Sequence, residues 1–423
     1  MTNKQPYMDR IADKELDLNL KSAGAVLIEG PKWCGKTRTA EGHAASALYL
    51  QDLEEEKYIL HLLETNPSLL LEGETPRLID EWQAAKKLWN GIRFAVDRRG
   101  GTGHFILTGS VVPGDDSTLH SGTGRIVRML MRPMALFESM ESSGDVSLES
   151  VFNGGDVEGT SPLTIEGLAY ALVRGGWPAS VGEERTTSFR HARNFVKTVM
   201  EKDMSRVDNV ERNPARVKRL MRSIARNVST TAKLTTIMDD ITGDGNGMIS
   251  EVTVASYVNA LRRLFVIEDL DAWMFAKRSK TAMQTSSKRH FIDPSIAAVM
   301  LRLSPEGLLK DFNTFGLLFE SLCIRDLRVY AQAIDGEVYH YRDRNGLEID
   351  AVVELGDGRW GAIEVKLGSN EEDQAAKNLL KFKEKVDTQR MGEPSFLMIL
   401  TATKHAYRRA DGVLIVPIGC LKD

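Results

Sequence analysis

The sequence predicts an α/β protein in three regions: a parallel-sheet domain over 1–163, a helical middle over 164–310 and a second, smaller α/β unit over 311–423. Three observations predict this. Short apolar runs alternate with helix-length segments in the first region, Arg- and Lys-rich helix formers fill the middle, and strand-like runs carrying isolated acids follow in the last. The 423 residues exceed what one hydrophobic core usually organises, so several domains are expected. With 42% hydrophobic residues and a net charge of -4, from 55 Lys plus Arg against 59 Asp plus Glu, the chain is neither disordered nor fibrous. That balance excludes whole-surface attraction to nucleic acid but not a local basic face. Cys34, Cys323 and Cys420 are too few and too scattered for a disulfide framework or a zinc site. Residues 1–21 are charged throughout, and no apolar run reaches about eighteen residues, so the expectation is a cytoplasmic protein with no membrane partner.

Ala25 to Ile28 is an apolar run short enough for a strand buried on both faces, and a turn and a helix-like segment from Lys36 follow it. Similar runs at Ala47–Leu50, Leu78–Ile79, Phe105–Leu107 and Ile126–Met131, with the helix-length Trp82–Val96 among them, imply a parallel sheet. Between Ser139 and Pro162 the composition turns to Ser, Gly, Asp and Glu, which reads as a linker or an insertion at the domain edge. Ser188–Asn227 is the most basic region, with Arg190, Arg193, Lys197, Arg216, Lys218 and Arg222 among its charges. Thr230–Ile241, a Gly-rich turn, Val252–Leu264 and Phe265–Trp273 then read as helix, turn, helix, strand. This is the order of a winged-helix module, which docks on DNA. Beyond Phe312 an amphipathic helix to about Ala333 precedes strand-like Glu337–Arg342, Glu348–Glu354 and Trp360–Lys366, a long charged helix, and strands near Phe396–Leu400 and Val413–Val416.

Gly30-Pro31-Lys32-Trp33-Cys34-Gly35-Lys36-Thr37 fits the phosphate-loop (P-loop) pattern G-x-x-x-x-G-K-[ST] in full, between a buried strand and a helix start. Phosphates need many backbone N–H donors converging in a small space. Gly30 and Gly35 permit this by lacking side chains, and the helix start adds partial positive charge. Lys36 would neutralise the outer phosphates, Thr37 would offer Mg²⁺ a hydroxyl, and Arg38 completes the nucleotide-binding set. Asp80, at the end of another apolar strand, would hold Mg²⁺ through water, and Glu81 would orient or deprotonate the attacking water. The alternative is that the two acids simply cap the helix starting at Trp82. Ser110 or Thr108 lies where a polar residue senses the γ-phosphate. ATP and Mg²⁺ are the cofactors this set calls for.

The arrangement resembles an AAA-type ATPase. Gly124-Arg125-Ile126, followed by Arg132-Pro133-Met134, narrows the resemblance to a widespread prokaryotic family that joins such a domain to a C-terminal domain of unknown function. It runs over almost the whole chain, from Tyr7-Met8-Asp9-Arg10 through Gly175-Gly176-Trp177-Pro178 to Gly316-Leu317-Leu318-Phe319-Glu320. The resemblance implies an arginine finger at Arg125, with Arg128 and Arg132 as rivals, and admits action between subunits of a homo-oligomer.

In the last region, Asp350 ends the strand-like Gly346–Ile349, and Glu364-Val365-Lys366 lies on the next strand across a Gly-Asp-Gly turn. Alternate side chains of a strand share a face, so Glu364 and Lys366 point together and the hairpin brings Asp350 alongside. Two carboxylates on Mg²⁺ beside a lysine can generate hydroxide and stabilise the charge of phosphodiester cleavage, whereas a bare E-x-K pair can be a simple ion pair. The pattern resembles the PD-(D/E)xK, restriction-endonuclease-like nucleases, whose members often add an acid from the preceding helix, here Glu320. Glu348-Ile349 stands where that pattern has a Pro. The resulting reading is an ATPase coupled to DNA binding and to Mg-dependent DNA cleavage. The alternative is a nucleotide-controlled switch or scaffold whose C-terminal fold binds DNA or a protein partner without cutting.

Overall fold

The computed structural model describes residues 6–111, 122–242, 250–274 and 286–423, so the Gly-rich turn expected between the two middle helices lies outside the described residues. Two compact units are present. One is Met1–Arg132 with Arg206–Val210 and Arg263–Phe265; the other is Pro133–Ser205, Glu211–Arg262 and Val266–Asp423. The middle and C-terminal regions, expected separately, thus share one unit. No helix among the described residues is long and apolar enough to cross a membrane.

The first unit is built on a five-stranded parallel sheet in the order β2-β3-β4-β1-β5, comprising β1 (Ala25–Glu29), β2 (Ser46–Tyr49), β3 (Arg77–Asp80), β4 (Phe105–Gly109) and β5 (Ile126–Leu130). β1 is buried at every position. Ala25 and Leu27 pack into one apolar cluster with Trp82, Leu88 and Trp89, while Val26 and Ile28 pack into another with Leu16, Cys34 and Ala40. Alternate side chains of one strand therefore feed both faces, as covered parallel strands require. Register fixes the working edge: Glu29 lies beside Gly109 and Leu130, and Ile79 beside Leu107, so the C-terminal strand ends share one side. Ligands of open α/β sheets bind at that side.

In the second unit a short strand β6 (Val146–Ser147) is followed by β7 (Gly159–Thr160), and a hairpin is formed by β8 (Ile267–Leu270) and β9 (Lys288–Phe291). Then come β10 (Gly336–Arg342), β11 (Glu348–Leu355), β12 (Trp360–Lys366), β13 (Phe396–Thr401), β14 (His405–Arg408), β15 (Leu414–Pro417) and β16 (Leu421–Lys422). Seven of these form a mixed sheet in the order β10-β11-β12-β13-β15-β14-β7. The helix Glu372–Lys385 covers it with Phe382, against Trp360 and Trp273.

Ser139–Pro162 is not a linker. β7 completes the edge of the seven-stranded sheet by pairing with β14, β6 pairs with β16, and Phe152 packs edge-on against Phe396 at 5.0 Å between ring centroids. Five of the segment's apolar residues, Val146, Leu148, Val151, Phe152 and Val157, are buried, while its polar majority had set the composition.

A buried ionic triad ties this unit together. Arg325, on the long helix Phe312–Gln332, donates to Asp293 at 2.9 Å and pairs with Asp326 at 2.6 Å. Asp293 also accepts from the Gly176 N–H at 2.9 Å, and Asp326 from the Leu136 N–H at 3.0 Å. Burial pushes the Asp326 carboxyl up to about 6 despite the adjacent guanidinium. Removing one member leaves the others charged and unpaired out of water. Arg325→Ala is therefore expected to lower unfolding stability by about 3–5 kcal/mol, read as a fall in the urea midpoint of the second unit's transition.

Candidate functional site

The chain after β1 turns through three residues of positive φ, Gly30 at 152°, Trp33 at 68° and Gly35 at 106°, before the helix Lys36–His43 begins. A Cβ on Gly30 would lie 2.2 Å from the Met131 carbonyl oxygen, so this position admits only glycine. Carbonyls of a phosphate-binding loop must point away from the anion, and here they are held by cations. Lys36 Nζ donates to the Gly30 and Pro31 oxygens at 2.9 and 2.7 Å, and the Arg10 guanidinium donates to the Cys34 oxygen at 2.7 Å and the Arg132 oxygen at 2.8 Å. Pro31 and Cys34 are buried, Lys32 is half-buried, and Trp33 stands exposed on the loop. Arg38 is exposed and pairs with Glu41 at 3.3 Å.

Beside the loop runs a chain of hydrogen bonds. Thr37 Oγ1 donates to Asp80 Oδ1 at 2.8 Å, Thr108 Oγ1 donates to the same oxygen at 2.7 Å, and the Glu81 N–H donates to Thr108 at 2.9 Å. Glu81 adopts the left-handed conformation, φ 54°, and its carboxylate accepts from Gln83 and, at 3.3 Å, from Ser110. No side-chain cap is made by Glu81 to the turn that follows it, so the capping alternative does not describe it. Of the two sensor candidates, Thr108 engages Asp80 and Ser110 engages Glu81. One hydroxyl and one carboxylate side by side suit Mg²⁺, which keeps most of its waters and takes few protein ligands. These residues fit a nucleotide with its metal.

Arg125 lies elsewhere. It precedes β5, whose first residue pairs with Ala25 at the start of β1, so it stands at the opposite end of the strands from the loop, about 16 Å away at the ordinary rise per residue. There it pairs with Asp97 at 2.8 Å. The structure does not bring it to the phosphate loop of its own chain. Arg128 pairs with Glu29, the residue before Gly30, at 3.2 Å, and Arg132 follows β5 at the loop's own edge.

The second unit gathers the other set. Lys366 Nζ lies 2.8 Å from Glu364 and 3.5 Å from Asp350, whose Oδ2 also accepts from the Val365 N–H at 2.8 Å. Glu320 faces the same cluster. Between Glu320 and Asp350 stands a residue that the sequence reading did not single out: Lys288 of β9, only 2% exposed, with its ammonium 2.9 Å from Glu320, 2.7 Å from Glu348 and 3.7 Å from Asp350. Burial, reinforced by the Asp350 charge, pushes Glu320 up to about 8 and Glu364 up to about 7. Burial would raise Asp350 too, but Lys366 and Lys288 outweigh it and hold that carboxyl below its ordinary value. Among the described residues, no group of three His, Cys, Asp or Glu side chains is placed to hold a metal ion. The cluster as built does not fit the Mg²⁺ that the nuclease resemblance implies, because an ammonium stands among its oxygens.

Comparison with known families separates these regions. Residues 22–140 match the family model of an AAA domain. Such a domain implies nucleotide binding, usually with Mg²⁺, and ATPase activity. Residues 165–307 match a domain of unknown function (DUF8612) and residues 315–421 another (DUF4143). No curated protein matches the chain. The AAA domain carries all of Gly30–Arg38, Asp80, Glu81 and Ser110, while Lys288 lies in the DUF8612 segment and Glu320, Asp350, Glu364 and Lys366 in DUF4143.

Just ahead of the AAA match, Tyr7, Arg10 and Asp13 clasp the phosphate-loop helix. Tyr7 bonds Asp13 at 2.7 Å and Thr39 at 2.9 Å, and the His43 ring bonds Asp17 at 2.9 Å and Asp13 at 3.2 Å. The Asp13 hydrogen bond holds the His43 imidazole above its ordinary value of 6.5, against an opposing effect of burial. A raised histidine contributes its stability fully below 6.5 and loses it as pH rises through the folded value. His43→Gln is thus expected to melt below wild type by a gap that is widest below pH 6.5 and narrows as pH rises above that value, measured by thermal denaturation across neutral pH. A gap independent of pH would contradict the pairing.

Proposed function

We propose that the chain binds and hydrolyses ATP with Mg²⁺ at the phosphate loop and couples turnover to DNA. The observation that carries the first half is the 2.8 Å bond between Thr37 and Asp80, which sets a phosphate-loop hydroxyl and a strand-end acid side by side. In this reading the loop N–H groups and Lys36 hold the phosphates, with Thr37 and Asp80 around the metal. When bound, Mg²⁺ supplies neutralisation of phosphate charge. Glu81 accepts the proton of the attacking water, and Ser110 together with Thr108 sets the orientation of the Asp80–Glu81 pair. Arg125 acts as a finger only across to a second copy, so that role goes with a homo-oligomer.

DNA binding is supported by the middle region. Arg190, Arg193, Lys197, Arg216, Lys218 and Arg222 are exposed on the helices Arg185–Thr198 and Pro214–Arg226, which carry no acid. Such surfaces suit a phosphate backbone. The helices Pro214–Arg226, Leu234–Thr242 and Glu251–Arg263 followed by the β8–β9 hairpin, with Thr230 bridged to Arg289, keep the order of a winged helix.

The C-terminal carboxylates admit a pair of readings: Mg-dependent cleavage by Asp350, Glu364 and Lys366 with Glu320, or binding of DNA or a protein partner without cutting. The buried Lys288 favours the second. Three variants test the whole. Lys36→Ala is expected to abolish ATP binding while staying folded, and Glu81→Gln to keep binding but lose turnover by about 10²–10⁴-fold; unchanged affinity or unchanged turnover would move the assignments elsewhere. Incubation of linear and supercoiled DNA with Mg²⁺ or Mn²⁺, with and without ATP, is expected to give no more cutting than an Asp350→Ala control. Cutting lost only in that control would restore the nuclease reading.

A further inference from the structure

We propose that Lys288 is the resident cation of the C-terminal carboxylate cluster, standing where a divalent ion would stand and latching the β8–β9 hairpin onto the C-terminal sheet. This deepens the non-cutting reading of that cluster and rests on it, and it is independent of ATP hydrolysis.

The geometry is that of a site already filled. An ammonium offers three donors, and this one has Glu348 at 2.7 Å, Glu320 at 2.9 Å and Asp350 at 3.7 Å around it. Lys366 covers the other side of Asp350 and holds Glu364 at 2.8 Å. Any metal within ordinary coordination distance of Glu320 and Asp350, about 2.1 Å, would sit close against the Lys288 nitrogen. A doubly charged ion therefore cannot join the cluster; it has to expel the lysine.

Expulsion is opposed from both ends of that side chain. Lys288 is 2% exposed, so an ammonium pushed off its carboxylates remains out of water and unpaired, which is among the costliest arrangements in a protein. Its backbone has no slack either. β9 pairs with β8 from Ile267–Phe291 to Leu270–Lys288, and His290, two residues along and on the same side of the strand, is itself buried with Nδ1 3.3 Å from the Ser321 hydroxyl of the long helix. Two successive inward side chains of β9 thus reach the helix that carries Glu320.

The connection crosses a boundary of the sequence. Lys288 belongs to the DUF8612 segment and all three acids around it, Glu320, Glu348 and Asp350, to DUF4143. A carboxylate set that in a nuclease would take metal serves here as the receptor for one lysine of the neighbouring segment. The latch fixes the hairpin of the winged-helix-like module, so it also fixes how that module presents itself to a partner.

The experiment is a Mn²⁺ titration of the full chain without nucleotide, followed by electron paramagnetic resonance of the free ion, on wild type, Asp350→Asn, Lys288→Met and the double variant. The difference between each protein and its Asp350→Asn counterpart isolates this cluster from the phosphate-loop site. Wild type is expected to bind no more Mn²⁺ than Asp350→Asn. Lys288→Met is expected to gain one site that the double variant loses, and to melt at a higher temperature when Mn²⁺ is added. One Mn²⁺ more in wild type than in Asp350→Asn overturns the proposal, whether or not Lys288→Met folds. A Lys288→Met protein that folds and gains no site overturns it as well. The latch is read separately by hydrogen exchange in Glu348→Gln, a milder change at a partly exposed acceptor. Amides of 267–270 and 288–291 are expected to exchange about tenfold faster than in wild type, and unchanged exchange sinks the latch. Metal uptake by wild type without any DNA cutting would defeat this proposal and leave the non-cutting reading intact, whereas metal-dependent cutting would defeat that reading itself.

Discussion

Charge taken out of water must be met by opposite charge or by aligned dipoles, and both units of this protein are organised around cations that obey that rule. In the first, Lys36 and Arg10 are buried and spend their donors on the carbonyls of the phosphate loop. The Gly30, Pro31 and Cys34 oxygens are thereby engaged, so the cations hold the loop's shape as well as bringing charge to it. In the second, Arg325 is enclosed by two aspartates and Lys288 by three acids at one end of a hairpin. These pairings join segments remote in sequence, which is why the middle and C-terminal regions share one compact unit.

The two acidic sites differ in what they leave available. At the AAA domain's strand edge Asp80 accepts from the hydroxyl groups of Thr37 and Thr108, and a hydroxyl can turn from a carboxylate to a metal at little cost. At the C-terminal cluster every acid meets a lysine, and an ammonium has no second role to turn to. The same residue class, an aspartate on a strand, thus meets hydroxyls in one place and ammonium groups in the other.

What was legible in the sequence follows from how local the physics is. The phosphate loop is eight consecutive residues between a buried strand and a helix, and Asp350, Glu364 and Lys366 are joined by one tight hairpin, so the nearness of each group's residues could be read from spacing. Lys288 gave no such signal. It sits in the run Ser287-Lys288-Arg289-His290, which looks like an exposed basic strand until the helix carrying Glu320 is packed against it. Arg125 shows a related limit: a motif can name an arginine, but only the parallel register shows that it lies at the end of β5 away from its own loop. The Ser139–Pro162 segment was hidden by averaging, since five buried apolar residues among many polar ones are enough to seat it. The choice between Thr108 and Ser110 required knowing which hydroxyl reaches which carboxylate.

The place of β7 in the seven-stranded sheet bears on how the chain is made. The first unit's sheet is complete once β5 has been synthesised, and ribosomes deliver domains in order, so it can fold while the remainder is still emerging. The second unit has no such freedom. Its edge strand, residues 159–160, waits for β14, and β6 waits for β16 at 421–422, so more than half the chain must be delivered before either pairing can form. During that interval the apolar side chains of Val146, Val151 and Phe152 have no sheet to cover them. The nascent chain therefore passes through a stage of exposed, aggregation-prone surface, the kind of intermediate on which chaperones act.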